Sequence, residues 1–219
     1  MNQPSDQNTE GPNAQDPRPN GLPLAFDTVA GILLLRAGPQ DLPADPRLLI
    51  AWIIVSMIAA LGYLDLGPGG VGLTLATNAL DLAALYLVTL GLLAMRDLGS
   101  RLLQTFTSLV ASSSVLAAAL VPIFLIWEPF PDAETVAIVP LLAMLFMLGW
   151  VLIVFGHIYR ESLGLRGHAS GFMLALAVVL VTAIVSQVAV GLALGLGQST
   201  ESAALRLETQ PVFFTGDPA

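Results

Sequence analysis

Few side chains in this 219-residue sequence carry chemistry at depth, and the one set farthest inside apolar surroundings is Asp81. It lies in residues 71–95, VGLTLATNALDLAALYLVTLGLLAM, apolar apart from one stripe. Thr74, Asn78, Asp81, Leu85 and Thr89 follow at steps of three or four and so share a helix face. An ionised carboxylate at the centre of a membrane helix costs on the order of 2.5 to 3.5 kcal/mol even on insertion scales. No arginine or lysine lies inside any apolar run, so Asp81 has no ion-pair partner there. Ser113 and Thr182, counted inward from the ends of their own runs, fall at about the same depth and could meet it. Two readings follow. Asp81 is a proton or cation site in a pathway, or it is a protonated acid that hydrogen-bonds serine or asparagine across helices to fix the packing. No second acid accompanies it, as conducting sites usually require.

A second group is His157, Glu161 and His168. The first two are four apart on one helix face, and His168 precedes the next apolar run on the same side, so the three could hold a divalent metal. The His-Glu-x-x-His pattern is absent. The alternative is a solvated connector in which Glu161 pairs with Arg160 or Arg166, and no metal or other cofactor is then implied. Gly191 and Gly195 form a small-xxx-small pair that lets helices approach closely, within the bundle or between copies of the chain. Ser112, Ser113 and Ser114 lack a Gly-x-Ser-x-Gly context and a histidine at their depth, so they are expected to serve interhelical hydrogen bonding and close packing rather than catalysis. Gly67-Pro68-Gly69-Gly70 joins two apolar runs, not a strand to a helix, and has no phosphate-binding context.

The elements that position these groups follow from composition. Hydrophobic residues make up 55% and charged residues 11%, against about a quarter charged in soluble domains. The apolar residues sit in long runs without strand-like alternation, so the class is an all-α, polytopic membrane helix bundle. With no cysteine there are no disulfides, thiolate zinc sites or iron–sulfur clusters. The formal charge of −8 comes from 16 acids against 8 arginines, and most of the acids lie in tails and loops, which argues against nucleic acid or anionic-lipid binding.

In chain order, residues 1–23 are polar and expected to be a disordered cytoplasmic tail. Residues 24–37 are too short to span and suit an interfacial helix with Phe26, Val29, Ile32 and Leu33 inward, followed by a proline-rich linker to 47. Asp45-Pro46 places an N-cap before a proline at the first helical position. Five transmembrane helices follow at about 48–66, 71–95, 106–127, 136–157 and 171–196, the third containing Pro122 and the fourth capped by Asp132. Trp52 and Tyr63 mark the two ends of the first at headgroup level. Residues 197–219 are an outer polar tail. Arg18, Arg36, Arg47, Arg96, Arg101, Arg160 and Arg166 fall on one side and Arg206 alone on the other, so the N-terminus is expected in the cytoplasm and the C-terminus outside a cell (inner) membrane.

This layout of polar N-tail, membrane-surface segment, five close spans and short outer tail resembles the Yip family, whose eukaryotic members associate with Rab GTPases in membrane traffic. Gly38-Pro39-Gln40-Asp41-Leu42-Pro43 is loosely similar to the Asp-Leu-Tyr-Gly-Pro segment of those members, in a different order and without the tyrosine, so no Rab-binding residue is carried over. The resemblance implies a non-enzymatic accessory, scaffolding or membrane-organising protein whose partners are the lipid bilayer, other membrane proteins or a second copy of itself. The alternative function is a small transporter or proton-coupled membrane subunit using Asp81.

Overall fold

A computed structural model of the protein describes residues 21–62, 70–127 and 138–208, and all regular structure among them is helical. The helices are α1 (Gly21–Leu33), α2 (Pro46–Leu61), α3 (Gly70–Ala94), α4 (Leu102–Trp127), α5 (Ile138–Leu163) and α6 (His168–Glu208). Stretches within α3, α4, α5 and α6 are long and apolar enough to cross a membrane, whereas α2 has 16 residues, about 24 Å. Residues 1–20 of the expected polar tail, the turn at 67–69, Tyr63, the cap at Asp132 and residues 209–219 lie outside the described residues, and the last three residues of that tail, 21–23, begin α1.

Helix α2 packs on α3, α3 on α6, α6 on α5, α5 on α4 and α4 on α2, closing a ring that α3 also crosses to reach α4. Helix α4 is the most enclosed: every residue from Thr105 to Ser112 is buried, more than two full turns, so no face of that stretch meets lipid. Its hydroxyls make this workable. Thr105, Thr107 and Ser108 donate to the carbonyls of Arg101, Leu103 and Gln104 at 2.9, 2.7 and 2.7 Å, each one turn back in the chain. Small side chains that satisfy their own polar atoms let neighbouring helices approach without stranding a donor.

The N-terminal helix docks on the bundle. Ala25, Val29 and Ile32 are buried against the bundle, where α1 packs on α4 and α5, while Phe26 is 58% exposed and meets Trp52 edge-on at 5.4 Å between ring centroids. Of the four residues expected inward, Val29 and Ile32 are buried and Leu33 is partly so; Phe26 is displaced because Ala25 takes the tight contact. Leu35, at φ 60°, reverses the chain after α1, and the Arg36 N–H donates to the Gly31 carbonyl at 2.7 Å. The linker then docks on the bundle end. His157 Nε2–H donates to the Ala37 carbonyl at 2.9 Å, Gln104 Nε2–H donates to the Leu42 carbonyl at 2.8 Å, and Pro39 and Leu42 are buried. Asp45 caps α2 as its sequence predicts, accepting the Arg47 N–H at 2.9 Å, with Pro46 as the first helical residue.

Other boundaries move. Trp52 is buried, because α2 turns it toward α1. Helix α4 begins at Leu102 and runs through Pro122. Helix α5 continues past His157 to Leu163, since arginine and glutamate at 160 and 161 are good helix formers. Helix α6 runs on to Glu208, so the first part of the expected tail is helical. Gly164, at φ 63°, makes the tight turn between α5 and α6. Those two helices meet closely where Gly156 faces Gly171: a Cβ on Gly156 would lie 3.0 Å from the Phe172 nitrogen, and one on Gly171 would collide with the Gly156 carbonyl. Deeper in the ring, Thr89 Oγ1 and Tyr159 Oη share a buried hydrogen bond of 2.9 Å between α3 and α5.

Gly171→Ala should therefore lower stability by about 1–3 kcal/mol, the usual range for overpacking against backbone. Thermal unfolding in mild detergent measures it. Gly191→Ala is the control and should leave the midpoint unchanged, because no described atom lies within 4 Å of the added methyl.

Candidate functional site

The stripe predicted on α3 faces a cleft of about 460 Å³ to which each of the five helices α2–α6 contributes a wall. Helix α3 supplies Thr77, Asn78 and Asp81, α2 supplies Ser56, α4 supplies Ser113 and Ser114, α5 supplies Phe155, and α6 supplies Thr182, Ser186 and Gln187. Asp81, Asn78, Ser113 and Thr182 are thus brought to one place. Ala183 and Gln187 at its rim are exposed, so the cleft is open on one side rather than sealed.

Asp81 is met by Ser186, whose hydroxyl donates to the Asp81 Oδ1. Asn78 Nδ2–H donates to Ser56 Oγ at 3.2 Å and touches Met57 Sδ at 3.4 Å, tying α3 to α2. Ser113 donates to the Val110 carbonyl at 3.0 Å, and Thr182 to those of Val178 and Val179 at 3.0 Å, so their protons point back along their own helices. A hydroxyl that has given its proton away still offers lone pairs. What the cleft presents is therefore chiefly acceptors, the carboxyl of Asp81, the hydroxyl oxygens of Ser113 and Thr182 and the amide oxygen of Asn78, with the Gln187 amide at the rim able to donate as well as accept. Among the described residues no arginine, lysine or histidine lines it. Such a lining suits a cation, a proton or a donor-rich neutral solute, and disfavours an anion.

Ser56, Thr77, Ser186 and Gln187 are the polar members that the sequence does not single out. For Ser186 the signal is available: it stands four residues after Thr182 on the same face of α6, the spacing that marks the stripe on α3.

The metal-like group does not assemble. His157 is engaged with the Ala37 carbonyl, Glu161 accepts from Arg160 Nε at 3.2 Å, and His168 Nε2 accepts from Arg160 Nη1. Among the described residues no three His, Cys, Asp or Glu side chains converge on a metal-sized position. Gly191 does not pack against any described part of the chain, because it faces open space; Gly195 falls outside the residues whose surroundings are described. The serines of α4 bond backward rather than across helices. Ser114 donates to the Val110 carbonyl at 2.6 Å, and Ser112 Oγ is buried without a hydrogen-bond partner among the described residues.

Comparison of the chain with protein-family models, with curated proteins and with solved structures finds no match.

Ser186→Ala removes the donor that meets Asp81 and should cost about 1–3 kcal/mol, the range for leaving a half-buried polar group short of a partner. Detergent thermal unfolding should show it. Thr182→Val, whose hydroxyl serves only its own helix, should cost less than half as much.

Proposed function

We propose that this is a five-crossing protein of the cell (inner) membrane, N-terminus cytoplasmic and C-terminus outside, that binds and passes a proton or small cationic solute at Asp81. The observation that carries the reading is the acceptor-lined cleft: five helices each surrender part of their packing to it, around an acid with a hydroxyl donor and no countercharge among the described lining residues. A bundle that needed Asp81 only for packing would close over its carboxyl, which here is only half-buried beside the buried Ser186.

Five crossings are supported by how α2 and α3 pair. The linker before α2 is held to the start of α4 through Gln104 and Leu42, and α4 follows directly on the end of α3. Asn78 near the start of α3 meets Ser56 towards the end of α2. The chain therefore goes out along α2 and back along α3, and α2 exposes Ile50, Ile54 and Ile58 as a lipid-facing helix would. Orientation is supported by the same end of the bundle: Arg101 Nη1 donates to the Ser162 carbonyl at 3.4 Å, so the arginine-bearing connections after α3 and α5 adjoin.

The second reading is an accessory or membrane-organising role without catalysis, as the Yip-like layout implies. It is favoured by the exposed apolar face of α6 around Ile184, Val188, Gly191 and Leu192, which offers a surface to another helix.

One experiment separates the two. Purified protein in vesicles with an entrapped pH dye should dissipate an imposed pH gradient, alone or coupled to sodium, potassium or methylammonium, faster than empty vesicles, and Asp81→Asn should reduce that flux at least about tenfold. Flux at the empty-vesicle level for both proteins, with lower thermal stability for Asp81→Asn, would reject the pathway and leave the accessory role. Topology is checked separately. A periplasm-active reporter at the C-terminus should be active and a cytosolic one silent.

A further inference from the structure

A second concavity, about 380 Å³, opens on the outside of the bundle between α5 and α6 at the arginine-bearing end. Its polar lining is His157, Arg160 and His168, and its apolar lining includes Leu35, Ile153 and Met173. The last three are exposed, so the groove is open to whatever surrounds the helices. We infer that it holds an anionic phospholipid, the phosphate on Arg160 and His168 and an acyl chain along Ile153 and Met173.

Depth and shape favour a lipid over a free ion. Arg160 lies in the last turn of α5 and His168 begins α6, which places both where the helices meet the headgroup layer. Ile153 is seven residues, about 10 Å, farther along α5, and Met173 five residues, about 7.5 Å, into α6. Charge stands at the mouth and apolar wall descends toward hydrocarbon, the profile of a phospholipid; basic pockets between membrane helices bind such headgroups. The donors are in place. Glu161 holds the Nε and Nη2 side of the Arg160 guanidinium, and of the two N–H groups on Nη1 one is given to His168, leaving the other for a phosphate. Because His168 accepts through Nε2, its ring N–H lies on Nδ1 and is free to donate. His157 spends its Nε2–H on the Ala37 carbonyl and serves as wall.

The acidity of the chain as a whole does not extend to this groove. None of its described lining residues is acidic, and Glu161, on the far side of the guanidinium, is the carboxylate a phosphate must compete with. The inference rests on the membrane-spanning reading but not on Asp81, so either can fail without the other.

The test is native mass spectrometry of the full chain in mild detergent, offered equal phosphatidylglycerol and phosphatidylcholine. Phosphatidylglycerol should be retained about tenfold more, and Arg160→Gln or His168→Gln should each remove most of that preference. Glu161→Gln frees the guanidinium and should raise phosphatidylglycerol retention several-fold, a gain that loss of folding cannot produce. Equal retention of the two lipids, an unchanged preference in Arg160→Gln, or a fall in Glu161→Gln would overturn the inference. Displacement of phosphatidylglycerol by millimolar inorganic phosphate would also overturn it, by assigning the groove to the free ion.

Discussion

A helix with no face toward lipid must satisfy every polar atom within itself or against its neighbours, and α4 sets that condition for the whole bundle. From Thr105 to Ser112 it is buried on all sides, yet the stretch includes two threonines and two serines. Hydrocarbon offers no hydrogen bond in return, so an unsatisfied group there costs several kcal/mol. Three of those four hydroxyls are closed onto carbonyls of the preceding turn. The result is a helix that is polar in composition but apolar in what it presents, slim enough for α1, α2, α3 and α5 to pack on it. Without a hydrophobic driving force between helices inside a bilayer, such close approach is what dispersion rewards.

Other polar groups of the ring, and Thr105 in addition to its own backbone contact, are joined across helices. Asp81 with Ser186 joins α3 to α6, Asn78 with Ser56 joins α3 to α2, Thr89 with Tyr159 joins α3 to α5, and Thr105 with Ser162 at 2.9 Å joins α4 to α5. Each pair has one geometry that satisfies it, so together they fix the register of helices whose apolar surfaces would otherwise slide. Helix α3 takes part in three of the four. It is thus both the carrier of the buried acid and the element that aligns the ring, and the cleft lies where its polar face outnumbers the partners available to it.

Much of this is legible in the chain. Long apolar runs locate the helices, Asp45-Pro46 locates a start, and the stripe through Asn78 and Asp81 locates the face that the cleft occupies, with Ser113 and Thr182 opposite. Hydropathy reports what surrounds a helix, not where its backbone hydrogen bonds stop, which is why α5 and α6 outrun their apolar segments to Leu163 and Glu208. Amphipathicity shows that α1 covers an apolar face without saying what it covers, so its contacts with α4 and α5 are not legible in the sequence. The close glycine contact escapes for another reason: Gly156 and Gly171 stand on different helices, and no spacing within one helix reveals them, while the Gly191 spacing that does conform faces outward. Ser186 is findable, since the periodicity that exposes Asp81 also connects it to Thr182.

The docked linker bears on how the protein is made. The carbonyl of Ala37 is received by His157, 120 residues later in the chain. At ribosomal rates of about 5–20 residues per second, on the order of ten seconds separate the synthesis of the two. Throughout that interval the buried face of α1, with Val29 and Ile32, lacks the part of its docking surface that α5 provides. Closure of the N-terminal segment is consequently a late event of biogenesis, and it reports that α5 has arrived.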